Sequence, residues 1–284
     1  MSSRIFRDDL LAGKVAVVTG GGTGIGAATA RELARVGATV VIASRKKDHV
    51  DPAAAGLSEQ VGRTVYGDLC DIRDRDSVNG FVGRVVEQHG RIDILINNGG
   101  GQFFSPADMI SPRGWDAVIN TNLTGTWNVT RAVHDAWMGA HGGKVVSITM
   151  LTQRGFPGMA HSVASRAGVE AMTRTLAVEW ANKGIVLNAI APGYIASNGI
   201  RNYPPDLGLI EKMQSCVPLK RMGTMDEVAW MITHLASPAG DYITGQTITI
   251  DGGKDLWGDY WIIPDPEDLK PFELPVEPWE HFEK

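Results

Sequence analysis

Cysteine is nearly absent: Cys70 and Cys216 are the only two in 284 residues. Two thiols without metal-like spacing form neither a disulfide framework nor a zinc-ligand set, and unpaired cysteine fits a reducing compartment. Long hydrophobic runs are missing as well. No stretch approaches the roughly 18 apolar residues of a membrane span, and the N-terminal residues 1–9 lack the apolar core of a secretory signal. Basic blocks are also lacking: 27 Lys and Arg against 32 Asp and Glu give a net charge of −5, which makes DNA and RNA poor partners. The final Phe282-Glu283-Lys284 is not a peroxisomal Ser-Lys-Leu address, and no internal repeat is evident. These absences predict a cytoplasmic protein with no metal, no membrane span and no nucleic-acid partner.

What is present is ordinary globular material, 43% apolar and 21% charged. Short β-branched runs alternate with longer amphipathic stretches. Val15-Ala16-Val17-Val18 precedes a helix over 27–36, followed by Thr39-Val40-Val41-Ile42 and Thr64-Val65-Tyr66. Ile92 to Ile96, a helical stretch over 115–138, Lys144 to Ile148, a helix over 163–182 and Val186 to Ile190 continue the rhythm. Nearly continuous apolar strands between helices read as an α/β, doubly wound parallel sheet of Rossmann type, with its ligand at the carboxyl ends of the strands. Residues 10–253 read as a single domain. The broken apolar segment at about 197–223 is expected to be a substrate lid, with a packed surface loop as the alternative. Residues 254–284 form a C-terminal extension whose Trp and Pro content suggests wrapping over a surface such as a neighbouring subunit's.

Directly after the first strand stands Thr19-Gly20-Gly21-Gly22-Thr23-Gly24-Ile25-Gly26, opening into a helix. Glycines permit positive φ and let backbone N–H groups approach a pyrophosphate at a helix N-terminus, so Gly20, Gly22, Thr23, Gly24, Ile25 and Gly26 are candidate dinucleotide contacts. The second strand ends in Ser44-Arg45-Lys46, where an NAD-preferring protein would carry a carboxylate for the ribose hydroxyl. Positive charge there selects NADP, with Arg45 and Lys46 on the 2′-phosphate and Ser44 as a further donor.

With this fingerprint the chain from about 11 to 253 resembles the short-chain dehydrogenase/reductase family. Asp68-Leu69 is similar to its adenine-contacting element, and Asn97-Asn98-Gly99-Gly100 to its Asn-Asn-Ala-Gly turn, which adds Asn97 and Gly99 to the cofactor site. Asn122 stands at the place of the helix Asn, and Pro192-Gly193-x-Ile195-x-Ser197 at the strand end that holds the nicotinamide amide. Ile243 to Gln246 and Ile248 to Gly253 look like the closing strand and turn. The family also implies a homo-oligomer, a tetramer or dimer.

The active-site signature departs from the pattern. The family's Tyr-x-x-x-Lys becomes Ser162-Val163-Ala164-Ser165-Arg166, and its catalytic Ser maps to Thr149 or Met150. A serine hydroxyl is a far weaker acid than a phenol of pKa about 10, and an arginine above about 12 relays no proton at neutral pH. Alcohol–ketone chemistry is therefore poorly served. Within the family the substitution resembles the enoyl-CoA reductase branch, peroxisomal trans-2-enoyl-CoA reductases in particular. The resemblance implies NADPH-dependent reduction of the carbon–carbon double bond of a trans-2-enoyl-CoA, an acyl-CoA being the small-molecule partner. The related 2,4-dienoyl-CoA reductases use a relocated Tyr, and no tyrosine lies between Ser147 and His161. Two rivals are a ketone or hydroxyl oxidoreductase of the same family and a non-catalytic NADP-binding sensor or scaffold.

The roles expected are Arg166 on the nicotinamide ribose, against a surface pair with Glu170; Ser162 as donor to the thioester oxygen, against a helix N-cap; and Asn122 ordering backbone and water. His161, Tyr194 and bulk water are open candidates for the α-carbon proton. Phe103, Phe104, Met109, Phe156, Met159, Leu207, Leu209 and Met213 are candidates for an acyl channel. Lys220 and Arg221 are candidates for the CoA phosphates, a solvated pair explaining them as well.

Overall fold

The computed structural model describes residues 3–197, 209–258 and 261–265, with the backbone alone of Leu209. The apolar runs become strands β1 (Val15–Thr19), β2 (Thr39–Ser44), β3 (Val65–Leu69), β4 (Ile94–Asn97), β5 (Gly143–Ile148) and β6 (Ile185–Pro192). Two short strands, β7 (Ile195–Ala196) and β8 (Gly223–Thr224), pair with each other, and β9 (Thr247–Ile250) closes the large sheet. Its order is β3-β2-β1-β4-β5-β6-β9, parallel at every described pairing. The order reverses between β1 and β4, so a crevice opens there at the carboxyl rim.

Period-2 alternation explains why the central strands are largely apolar on both faces. Ala16 and Val18 of β1, Val40 and Ile42 of β2, and Ile94 and Ile96 of β4 enter one core; Val15 and Val17, Val41 and Ala43, and Leu95 enter the other. The first core is closed by α1 (Gly24–Arg35), α2 (Lys47–Val61) and α9 (Met225–Ala236), through residues such as Leu33, Leu57 and Ile232. The opposite core is closed by α3 (Arg75–His89), α5 (Gly125–Val133) and α7 (Ala160–Glu179), through Phe81, Val129 and Leu176.

Two expectations are refined. The stretch over 115–138 is α4 (Pro112–Ile119), a π-helical turn over Asn120–Thr124, α5, a second π turn over His134–Met138 and a last short turn α6 (Gly139–His141). The first π turn is the segment that carries Asn122, and such bulges commonly mark functional sites. Helix α7 starts at Ala160 with Met159 as its cap residue, earlier than the apolar period predicts, so Ser162 lies inside the first turn and is not the N-cap. Of the lid segment, α8 (Leu209–Ser215) and residues up to 223 are described; Tyr203, Pro204, Pro205 and Leu207 lie outside the described residues, as do residues 266–284 of the extension.

Candidate functional site

The glycine turn after β1 is shaped by two constraints. Gly20 (φ 63°) and Gly24 (φ 56°) occupy the left-handed region that side chains disfavour. At Gly26 a Cβ would overlap the Gly20 carbonyl and the Asn98 amide. Asn98 Nδ2 donates to the carbonyls of Thr19 (3.1 Å) and Gly20 (3.0 Å), while Thr19 Oγ1 accepts from the N–H of Asn98 (3.1 Å) and Gly99 (2.9 Å). The turn is thereby stitched to β4 across the crevice. Thr23 caps α1 without a side-chain bond, so the N–H groups of Gly24, Ile25 and Gly26 have no intrahelical acceptor and face the kind of anion a pyrophosphate supplies. Gly22 packs toward Ala53 of α2.

Asn97 behaves differently from its neighbour. Alternation along β4 turns its side chain into the core, where Nδ2 donates to Thr130 Oγ1 (2.8 Å) and lies 3.4 Å from Ser147 Oγ. Its side chain does not face the crevice, whereas Asn98, absent from the sequence-based site, holds the turn. Alternation applied to the Asn-Asn pair is the signal that would have found it.

Beside the glycine turn, β2 ends at Ser44, and Arg45 and Lys46 follow it exposed, with no salt bridge among the described residues. On β3, the Asp68 carboxylate is gripped by Arg84, with Nε to Oδ2 at 2.9 Å and Nη2 to Oδ1 at 3.1 Å; Leu69 next to it is exposed. Cys70 is buried and its thiol is pushed up to about 12, which leaves it inert as a nucleophile.

Three helical side chains and the β4 loop converge at the crevice floor. Arg166 is buried; Nη1 donates to the Ile148 carbonyl (2.7 Å), and no carboxylate pairs with it among the described residues. Burial lowers its guanidinium to about 10, so it stays charged at neutral pH. The expected alternative, a pair with Glu170, does not form: Glu170 accepts from the Thr152 hydroxyl at 2.9 Å. A Cβ at Gly100 would overlap Arg166 Nη2 and lie 3.0 Å from Asn122 Oδ1. Asn122 is fully buried, accepting from the Gly101 N–H (2.9 Å) and donating to Ser165 Oγ (3.2 Å).

Ser162, also fully buried, donates to Gln102 Oε1 (2.8 Å) and lies 3.4 Å from Met150 Sδ. Thr149 points away, its hydroxyl on the Ile190 carbonyl (3.0 Å), so Met150 is the residue that faces Ser162. His161 is fully buried beneath Phe103, ring centroids 4.3 Å apart, with Nδ1 accepting from the Ser162 N–H (2.9 Å).

Past β6, the Gly193 N–H bonds the Ile250 carbonyl (2.9 Å); Ile195 is buried in β7 beside β8, and Ser197 is half-buried at the rim. Pro192 is the last residue of β6. A cavity of about 330 Å³ opens nearby, lined by Leu151, Arg154, Phe156, Pro157, Tyr194 and Lys254 among others. Of the acyl-channel candidates, Phe156 lines this cavity, Phe104 rests on Gly158, Met159 is buried and Met109 is 73% exposed. Arg221 is held by Glu227 (2.6 Å) and Lys220 lies 5.2 Å from the Trp257 ring, so neither is a free cation awaiting a phosphate. The start of the extension folds onto its own chain, with Arg154 Nη1 donating to the Trp257 carbonyl at 2.6 Å.

Comparison with known proteins matches the same frame. A family model described as enoyl-(acyl carrier protein) reductase covers residues 20–255. The chain is a short-chain dehydrogenase/reductase. As a member of that family it is an oxidoreductase working with a nicotinamide cofactor. It is 36% identical to the peroxisomal 2,4-dienoyl-CoA reductase of Danio rerio, over 89% of this chain and 85% of the relative. It is 39% identical to the 3-oxoacyl-(acyl-carrier-protein) reductase of Thermotoga maritima, over 86% of this chain and 98% of the relative. Among solved structures, the citronellol catabolism dehydrogenase of Pseudomonas aeruginosa PAO1 superposes with a TM-score of 0.79 at 41% identity, covering 88% of this chain and 98% of that chain. No described helix of the protein is long and apolar enough to cross a membrane.

Proposed function

We propose that this short-chain reductase uses NADPH to reduce the carbon–carbon double bond of trans-2-enoyl-CoA thioesters. The observation that carries the reading is the absence of a proton-donating phenol at the catalytic position, where a buried Ser162 meets the amide of Gln102 and the thioether of Met150. Such a site serves hydrogen-bond donation better than acid catalysis. Conjugate reduction needs the former: hydride enters at the β-carbon, the π electrons move toward the thioester oxygen, and the enolate is stabilised by positioned donors before a proton enters at the α-carbon.

The residues present fit a dinucleotide: the unpaired first turn of α1 takes the pyrophosphate, and Arg166, a buried cation with no carboxylate paired to it among the described residues, holds the nicotinamide ribose hydroxyls. Arg45, Lys46 and Ser44 take the 2′-phosphate. Bound there, the cofactor supplies the hydride. Asp68 and Leu69 flank the adenine, while Gly99, Pro192, Gly193, Ile195 and Ser197 line the nicotinamide end. Asn122 keeps the β4 loop in place through Gly101.

Replacing Arg45 and Lys46 together by Ala should weaken NADPH binding at least about 100-fold, because each charge-assisted bond is worth roughly 1.5–3 kcal/mol, and leave NADH binding unchanged. Tryptophan fluorescence titrated with each cofactor measures this; equal losses for both cofactors would sink the 2′-phosphate assignment. The reading places the enzyme in the cytoplasm, a setting consistent with its two free thiols, and makes it a subunit of a homo-oligomer, for which the 80% exposed Val178 on α7 offers apolar surface.

The test is NADPH oxidation on a series of trans-2-enoyl-CoAs beside acetoacetyl-CoA. Turnover of the enoyl series without the ketone supports the reading; ketone turnover alone would replace it with the oxidoreductase rival, and cofactor binding without any turnover with the sensor. The names of the dienoyl-CoA reductase relatives make a 2,4-dienoyl-CoA the further substrate to include.

A further inference from the structure

The Ser162 hydroxyl has spent its only proton. Ser162 lies in the first turn of α7 with no exposed surface, and its hydroxyl ends on Gln102 Oε1 at 2.8 Å, with Met150 Sδ on its other side at 3.4 Å. Replacing a phenol by a hydroxymethyl group leaves a void the size of a ring, and in this chain the Gln102 amide and the Met150 thioether fill it. Ser162 has no exposed surface whereas Gln102 is exposed, so the residue this position presents to the outside is Gln102.

The amide's orientation follows from its neighbours. Ser162 Oγ–H needs an acceptor, and the thioether of Met150 is a poor one, so the amide turns its oxygen to Ser162. Both hydrogens of Gln102 Nε2 are then left over, with no other partner among the described residues, on a residue that is itself exposed.

The loop carrying Gln102 is held on both sides. Before it, the Gly101 N–H donates to Asn122 Oδ1 (2.9 Å); after it, Phe103 stands edge-on to His161 and the Ser105 N–H donates to the Gly158 carbonyl (3.0 Å). Phe104 seals the same side, since a Cβ at Gly158 would overlap its ring. A donor fixed in advance stabilises developing charge without reorganising at the moment of reaction.

We propose that Gln102 is a catalytic residue of this reductase: its amide N–H, aimed by the Ser162 hydroxyl, donates to the thioester oxygen as the enolate forms. This rests on the enoyl-CoA reading above. The amide makes and breaks no covalent bond. It offers hydrogen bonds but no acid proton, which suits an enolate and not an alkoxide awaiting protonation.

Gln102→Glu tests it, because the carboxylate keeps an acceptor for Ser162 and loses both donors. At neutral pH kcat/KM on a trans-2-enoyl-CoA should fall about 100-fold, the usual cost of one oxyanion donor, with NADPH affinity unchanged. Activity should return as the pH falls through the ordinary carboxylate range, since the protonated acid can donate again. Gln102→Met, equal in length and uncharged, should lose as much and recover at no pH. Full activity of Gln102→Glu at neutral pH would overturn the proposal, leaving Gln102 as a mere acceptor for Ser162; so would a loss with no recovery at low pH in a variant that still binds NADPH. A wild-type enzyme silent on every enoyl-CoA would instead overturn the reading on which it rests.

Discussion

Gly100→Ala is expected to weaken NADPH binding 10- to 100-fold while shifting the melting temperature little. The φ of Gly100 is not in the left-handed region, so the backbone accepts a side chain there. The obstacle is Arg166 Nη2, which the new methyl would overlap. Nη1 is anchored on the Ile148 carbonyl at 2.7 Å, so the guanidinium must rotate about that bond and surrender the position proposed for the ribose hydroxyls. Losing one charge-assisted hydrogen bond costs about 1.5–3 kcal/mol, which is the tenfold to hundredfold range. A double-mutant cycle isolates the cause: once Arg166→Met has removed the guanidinium, alanine at position 100 should cost nothing further. Additive losses, or a Gly100→Ala enzyme with native affinity, would show that Arg166 does not hold the cofactor.

The same pair of residues shows where the sequence was legible. Strands β1, β2, β4, β5 and β6 announce themselves because both faces are buried and most of their residues are apolar. The glycine turn is legible because positive φ and a close backbone approach leave no alternative to glycine. Helix α2 is not, since Pro52 interrupts its period and only Val50, Ala54, Leu57 and Val61 trace the buried stripe. Position-by-position likeness to the family located Ser162 and Arg166. It gave no role to Gln102 or Gly100 and left the place of the catalytic Ser open between Thr149 and Met150, because what fills the space of a missing phenol is decided by packing between the β4 loop, the end of β5 and α7. Those contacts join Met150 to Ser162 across 12 positions and Gln102 to Ser162 across 60, and no local period records them.

That packing sets what is needed to turn the site toward ketones. Ser162→Tyr alone should gain no acetoacetyl-CoA activity: Ser162 has no exposed surface, and the phenol would have to enter space already taken by Gln102 and Met150. Overpacking of this kind costs roughly 1–3 kcal/mol and displaces the neighbours it meets. Adding Met150→Ser clears the thioether and supplies the hydroxyl that Thr149 cannot, since its own is committed to the Ile190 carbonyl. Arg166→Lys then restores the residue that in the family pattern lowers a phenol's pKa. The triple variant should reduce acetoacetyl-CoA at least 100-fold faster than Ser162→Tyr alone, general acid catalysis being worth about 10²–10⁴ in rate. Its enoyl-CoA activity should fall in parallel, because a ring at position 162 displaces the amide of Gln102. Ketone turnover by Ser162→Tyr by itself would mean that the space is open, and a triple variant that binds NADPH yet gains no ketone activity would mean that the missing phenol is not what sets this enzyme apart from ketone reductases.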